Sequence, residues 1–291
     1  MAFRTILVDS HSKLEYSLSY LVFRTPDAVK KILLEEVHTI IISSTAVSLT
    51  TSLLNELVKR KIKIIFCDEK HNPSSKLMPI YGNGNSSKRI REQIGWSKDT
   101  SEEIWKIITK RKIMNQARFL NERGKIEHVR ALKEFADAVE PGDPTNREGH
   151  AAKVYFNHAF FDVFTRDKDC FINACLDYGY TILLSEFNRA IVAAGYLTQL
   201  GIHHKSEFND FNLSCDFIEP FRFIVDRMAF SLAEGSDFKK AMIGMLGSDV
   251  LQLGKAQTLS NAITIYCNSL FTALNTGDVT KIAFIEYGFG G

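Results

Sequence analysis

The apolar residues of this chain change period partway along it, and that change demands two differently built halves. Before residue 75 they come in short β-branched runs or alternate with polar residues. After residue 88 they recur every three to four positions over long stretches. The stretch between, 68–87 (DEKHNPSSKLMPIYGNGNSS), holds Pro73, Pro79, Gly82 and Gly84 among polar residues, a composition that breaks both helix and strand. The expected fold class is therefore α+β: an N-terminal β-rich domain over 1–75, a linker over 76–87 and a larger all-α helical domain over 88–291.

Within the first part, 3–8 reads as a strand and 13–24 as one or two more with alternating character. The runs 38–43 (HTIIIS) and 62–66 (IKIIF) are apolar without alternation, as strands buried on both faces are. Between them, 48–60 (SLTTSLLNELVKR) has helical spacing with Ser48 at its start and reads as a crossover helix. The second part reads as helices over 88–119 in one or two segments, then 125–139, 148–164, 171–200 and 213–232, with helix resuming from 238 to the glycine-rich end. Gly124, Pro141, Gly142, Pro144 and Gly201 punctuate them.

With 291 residues, 45% hydrophobic and 24% charged, the chain can bury a real core. The five cysteines have no zinc or redox spacing and read as reduced thiols of a cytoplasmic protein. The N-terminal stretch lacks the apolar centre of a signal peptide, and no apolar run reaches the length of a membrane span. Net charge is only +2, but 86–135 carries 13 Lys/Arg against 7 Asp/Glu. Such a local basic belt suits either a nucleic-acid track or a solvated helix face.

Three places combine metal-competent side chains with a local structure able to present them. Glu148, in Thr145-Asn-Arg-Glu148-Gly-His150, opens a helix after a Pro/Gly-rich loop. Its spacing from Thr145 is equally that of a capping box. His203 and His204 follow the apolar helix expected to end at Leu200. One of them could serve as a ligand, or the pair could complement the helix dipole. Asp216 and Glu219 lie three apart and share a helix face, and Pro220 removes the backbone bond to residue 216. That proline costs roughly 3 kcal/mol in a helix interior, to be offset by function or tolerated as a surface kink. Two carboxylates and an imidazole suit a hard divalent ion with some tolerance for nitrogen, manganese more than magnesium. Such an ion can serve phosphodiester transfer. Spacing alone leaves open whether the three places meet.

The segments HSKLEYS, IIFCDEKHNP with LMPIYG, NREGHAAKVYF, LDYGYTILLS and the run from GIHH to FNLSCDFIEPFRFIVD occur in this order. In them the chain resembles the CRISPR-associated endonuclease/integrase family of the adaptation module, and most of all its type II-A branch. The resemblance covers most of the chain up to Ser231; beyond it only a generic helical tail matches. It implies a metal-dependent DNA integrase/endonuclease. Such an enzyme inserts prespacer DNA into a CRISPR array by attack of a 3′-hydroxyl on leader–repeat phosphodiesters. It also implies a site of Glu148, His204 and Glu219 binding Mg²⁺ or Mn²⁺, with Asp216 as an auxiliary carboxylate and His203 a bystander. The implied partners are double-stranded DNA (prespacer and leader–repeat), a second copy through the N-terminal domain, and a small ferredoxin-like companion that bridges two dimers into a heterohexamer. In type II-A systems a ring-forming DNA-end-binding protein and the effector nuclease join them. From the basic belt, Lys88, Arg89, Arg91, Lys110, Arg111, Lys112 and Arg118 are candidates for phosphate contacts.

Overall fold

The computed structural model describes residues 4–69, 71, 73–77, 85–160, 164–166 and 168–287. The chain divides into two compact units, 1–88 and 89–291. Residues 78–84 of the expected linker lie outside the described residues. Of its flanks, Lys76 ends a strand and 85–87 already belong to a helix.

The first unit holds two four-stranded sheets. One has the order β1 (Arg4–Val8), β5 (Val37–Ile42), β7 (Lys63–Cys67), β8 (Pro73–Lys76); β1, β5 and β7 are mutually parallel, and β8 runs antiparallel to β7. The other has the order β4 (Val29–Leu33), β3 (Tyr20–Arg24), β2 (Ser12–Ser17), β6 (Val47–Leu49). Five of the six residues of β5 are buried, which is why VHTIII shows no alternation. The helix α1 (Thr51–Lys59) starts three residues later than its sequence suggests. Val47–Leu49 pairs in parallel with β2 instead, and Thr50, not Ser48, caps the helix by accepting a bond from the Leu53 amide at 3.3 Å. Val8, Leu14, Leu21, Ile40, Leu53 and Leu57 form the core of this unit.

The second unit is organised around α3 (Lys98–Glu122), which follows α2 (Asn85–Ile94). Ser97 caps α3 through the Thr100 amide, 3.1 Å away. Ile104, Trp105, Ile108, Ile113, Phe119 and Leu120 are all buried along it, so the helix is enclosed over much of its length. Against it pack α4 (Ile126–Asp137), α5 (Arg147–Ala159), α7 (Asn212–Ile218), α8 (Arg222–Ser231) and α10 (Leu259–Thr276), while α6 (Phe171–Ala194) packs on α7, α8 and α10, and α9 (Phe238–Gly244) packs on α6. Among the described residues no helix is long and apolar enough to cross a membrane.

Two expectations for this unit need correction. It is not all-α: β9 (Asp249–Gln252) and β10 (Lys255–Thr258) form an antiparallel hairpin whose turn residues, Leu253 and Gly254, both take positive φ. Nor does the helix starting at Phe171 continue to Leu200. It stops at Ala194, where Gly195 adopts the left-handed conformation (φ 91°) that ends a helix. The chain from 195 to 211 is therefore free to turn back, and it carries the two histidines.

Candidate active site

Glu148 sits in the first turn of α5, but it does not close a capping box. Asn146, itself left-handed (φ 50°), is the cap, accepting from the Gly149 amide at 3.2 Å. Asp143 accepts from the Arg147 and Glu148 amides, each at 2.9 Å, and Thr145 accepts from the Arg147 side chain at 3.1 Å. The free amides of the helix start are thus satisfied by other groups, which leaves the Glu148 carboxylate available. It makes an ion pair with the ammonium of Lys112 on α3.

Glu219 lies between α7 and α8. There Pro220, lacking an N–H, tightens the chain into a short 3₁₀ turn over Glu219–Phe221. The Pro220 carbonyl accepts from Asn115 of α3 at 2.9 Å, which ties the turn to the central helix. Glu219 is 5% exposed, and its carboxylate is held between Lys112 and the Arg222 guanidinium, the latter 2.9 Å from Oε1. Burial raises its pKa, but Arg222 and Lys112 outweigh burial and hold it at about 2, so it is ionised at any working pH.

Asp216, one turn earlier, faces the Gly201–His204 segment and is 0% exposed. Its Oδ2 accepts from the Ile202 and His203 amides at 2.7 and 3.0 Å. Its Oδ1 accepts from the His204 amide at 3.0 Å and meets His204 Nδ1 at 2.6 Å. A carboxylate on Nδ1 fixes the ring orientation and makes Nδ1 the donor, so in the neutral ring the lone pair is on Nε2. The hydrogen bond that His204 Nδ1 donates to Asp216 raises the basicity of His204 against burial, and Glu219 and Glu148 add to it, so the three acids and the imidazole share one electrostatic neighbourhood. His203 is turned aside, stacked on Trp105 with ring centroids 4.1 Å apart. Burial lowers its basicity.

Gly201 is required by this close approach. A Cβ there would stand 2.3 Å from the His204 carbonyl oxygen and 2.7 Å from Asp216 Oδ2. Gly201→Ala is expected to cost about 2–3 kcal/mol and to lower activity by displacing His204, as a denaturant midpoint and an activity assay on the same preparation will show.

Beside the carboxylates opens a cavity of about 290 Å³, lined among others by Lys112, Glu148, Glu219, Arg222, Arg166 and Asp226. Asp226 is buried and accepts from the hydroxyls of Tyr155, at 2.6 Å, and Tyr180. Burial raises its carboxyl to about 6 from an ordinary 3.8, the tyrosine bonds pulling the other way. The folded protein therefore binds this proton more tightly than the unfolded chain does. The resulting stability, about 3 kcal/mol, is complete below pH ~4 and is lost as pH rises to about 6. Asp226→Asn removes the titration. Its midpoint difference from wild type should drift between pH 4 and 6 and stay constant above 7.

Of the basic belt, Lys88, Arg91, Lys110 and Arg118 are exposed, and Arg89 and Arg111 are half-buried. Lys110 pairs with Asp137 at 3.0 Å, Arg89 with Glu92 at 2.9 Å, and Arg111 lies over the Phe284 ring at 4.6 Å. Lys112 is misplaced by the belt reading: it is 8% exposed and faces the carboxylates, not the surface. Sequence reasoning also missed Arg222, whose signal was its spacing three residues after Glu219, and Asp143, an aspartate in a Pro/Gly turn before a helix.

Two glutamates converging on one cation, with an oriented imidazole nearby, form a donor set that fits a hard divalent ion. As the side chains stand, the Lys112 ammonium lies between the two carboxylates. No group of three or more His, Cys, Asp or Glu side chains converges on a single metal position among the described residues.

A strand-rich unit followed by a helical one is the architecture this chain shares with solved CRISPR-associated chains. The chain belongs to the family described as CRISPR associated protein Cas1, which matches residues 6–248. It is 32% identical over 239 residues to the CRISPR-associated endonuclease Cas1 of Neisseria meningitidis serogroup C (strain 8013), covering 82% of this chain and 79% of that protein. It is 29% identical over 252 residues to the CRISPR-associated endonuclease Cas1 1 of Pyrobaculum aerophilum, covering 80% and 83%. Among solved structures, a chain of a partial Cas6-RT-Cas1–Cas2 complex shares the fold with a TM-score of 0.77 at 20% identity, over 97% of this chain and 98% of that one. A casposase bound to integration product shares it with a TM-score of 0.63 at 20% identity, over 95% and 96%.

Proposed function

We propose that this protein is a metal-dependent integrase of CRISPR adaptation. In this reading it joins the 3′-hydroxyl of a prespacer DNA to a phosphodiester at the leader–repeat junction and then at the far end of the repeat. The observation that carries the reading is the convergence of Glu148 and Glu219 on one cation position beside His204, in a chain of this family. The relation in fold to a casposase bound to integration product supports strand joining over simple hydrolysis.

The new P–O bond forms as the bond to the leaving 3′-oxygen breaks, so the count of phosphodiesters is unchanged and no nucleotide is consumed. Glu148, His204 and Glu219 would hold Mg²⁺ or Mn²⁺, which supplies activation of the attacking oxygen and charge neutralisation at phosphorus. Asp216 holds the imidazole in one orientation. Arg222 and Arg166 line the cavity beside the carboxylates, and in this reading they would meet negative charge on the DNA backbone. Lys88, Arg89, Arg91, Lys110, Arg111 and Arg118 are proposed as separate phosphate contacts without base selectivity.

As partners the reading takes double-stranded DNA, a second copy of the chain, and a small ferredoxin-like companion in a heterohexamer. The complex with Cas2 named for a structural relative supports the last. In a type II-A setting a ring-forming DNA-end-binding protein and the effector nuclease would join them, in the cytoplasm. The test is to offer a short duplex with ordinary or 3′-deoxy ends to a plasmid carrying leader and repeat, with the companion present. Covalent joining that requires the 3′-hydroxyl is expected. Nicking without joined product, equal for both ends, would replace the integrase by a plain nuclease.

A further inference from the structure

Lys112 is the least expected residue in the site. It projects from the enclosed central helix, is 8% exposed, and pairs with Glu148 and Glu219 together. Burial works against its charge, and the two carboxylates more than offset burial, so the ammonium stays protonated. A compact ammonium with three rotatable donors is suited to this position, where a planar guanidinium is not. Glu219 has a second cation in Arg222, whereas Lys112 is the only cation ion-paired to Glu148 among the described residues.

We infer that Lys112 is the resident counter-cation of the Glu148–Glu219 pair, holding the two carboxylates together and competing for them with an entering divalent ion. The inference rests on the metal-dependent reading above. The point between the two carboxylates can hold one cation, so an entering ion has to move the ammonium aside. The cavity that Lys112 lines gives it somewhere to go. Asp226 and Gln116 line the same cavity, and the Gln116 side-chain oxygen is buried without a hydrogen-bond partner. A flexible four-carbon stem lets the charge swing there without moving α3. Lys112 is thus a positioning residue that sets how tightly and how selectively the site takes its ion. A weakly bound ion is turned away, and a small divalent one displaces the ammonium.

The test is Mn²⁺ titration by calorimetry and thermal unfolding in EDTA for full-length wild type, Lys112→Met, Lys112→Arg and the double variant Lys112→Met/Glu148→Gln. Lys112→Met is expected to bind Mn²⁺ about tenfold tighter than wild type, and Lys112→Arg no tighter. Lys112→Met should unfold at lower temperature in EDTA, with much of the loss restored in the double variant, where the repelling carboxylate is gone. If Lys112→Met folds only with Mn²⁺ present, that too supports competition. Equal or weaker Mn²⁺ binding by Lys112→Met while wild type binds overturns the inference and leaves the metal reading intact. No Mn²⁺ binding by wild type or any variant overturns the metal reading and the competition with it. A double variant no more stable than Lys112→Met removes the counter-cation role.

Discussion

Asp216→Ala is expected to destabilise the helical unit by about 3–5 kcal/mol, more than any other substitution in the site. The carboxylate is fully buried and serves four donors: the amides of Ile202, His203 and His204, and the His204 ring. Removing it leaves three amides of one turn without their acceptor, and an unmet buried donor costs about 1–3 kcal/mol. Asp216→Asn keeps the shape but sets an NH₂ against those amides, so it should recover little. The shift in denaturant midpoint measures both. Activity should fall further than stability explains, because the imidazole loses the group that orients it, and such outer partners are worth about 10–100-fold.

Glu148→Ala is expected to lower strand joining by at least about 10³-fold, roughly 4 kcal/mol of transition-state stabilisation, with little change in unfolding temperature. The two effects separate because the fold does not lean on this carboxylate. Asn146 and Asp143 satisfy the start of α5, and Lys112 keeps Glu219 as a partner when Glu148 is gone. His204→Ala should lose joining to a similar degree. It leaves Asp216 its three amide donors, so the turn survives. A large loss of activity at nearly unchanged stability in both variants, against a loss of both in Asp216→Ala, distinguishes groups that touch the reaction from the group that supports them.

The sequence made some of this legible and hid the rest for physical reasons. The central parallel strands were visible because a strand buried on both faces has to be apolar throughout, as in VHTIII. The change from strand-like to helical period was visible because each half buries its own core. The strand Val47–Leu49 was hidden because three residues cannot establish an alternation and the helix pattern of α1 follows at once. The hairpin near Leu253 was hidden because its turn carries Leu-Gly in place of the Asn-Gly or Asp-Gly that such turns favour. The Leu18–Ser19 turn, with both residues at positive φ, gave no warning either.

In the site, Glu148, His204 and Glu219 were found as residue types in suggestive surroundings, and the family resemblance joined them. Nothing in their spacing of 56 and 15 residues did so. The capping-box reading of Glu148 failed because Asn146 and Asp143, both in the same loop, compete better for the helix amides. Lys112 was lost among its neighbours in the run Lys110-Arg111-Lys112, since a burial of this kind depends on which face of α3 turns inward. Three consecutive cations on a helix point in three directions, about 100° apart, so at most one could face the acids.

Glu148, His204 and Glu219 are proposed to form one metal-dependent centre for DNA joining. Its most direct test is half-site integration of a short duplex into a supercoiled plasmid carrying leader and repeat, with the companion protein, in Mn²⁺ or EDTA. Wild type, Glu148→Ala and His204→Ala would be assayed side by side. Joined product is expected in wild type with Mn²⁺, none with EDTA, and none with either variant. Joining that persists in EDTA, or in both variants, would contradict such a centre.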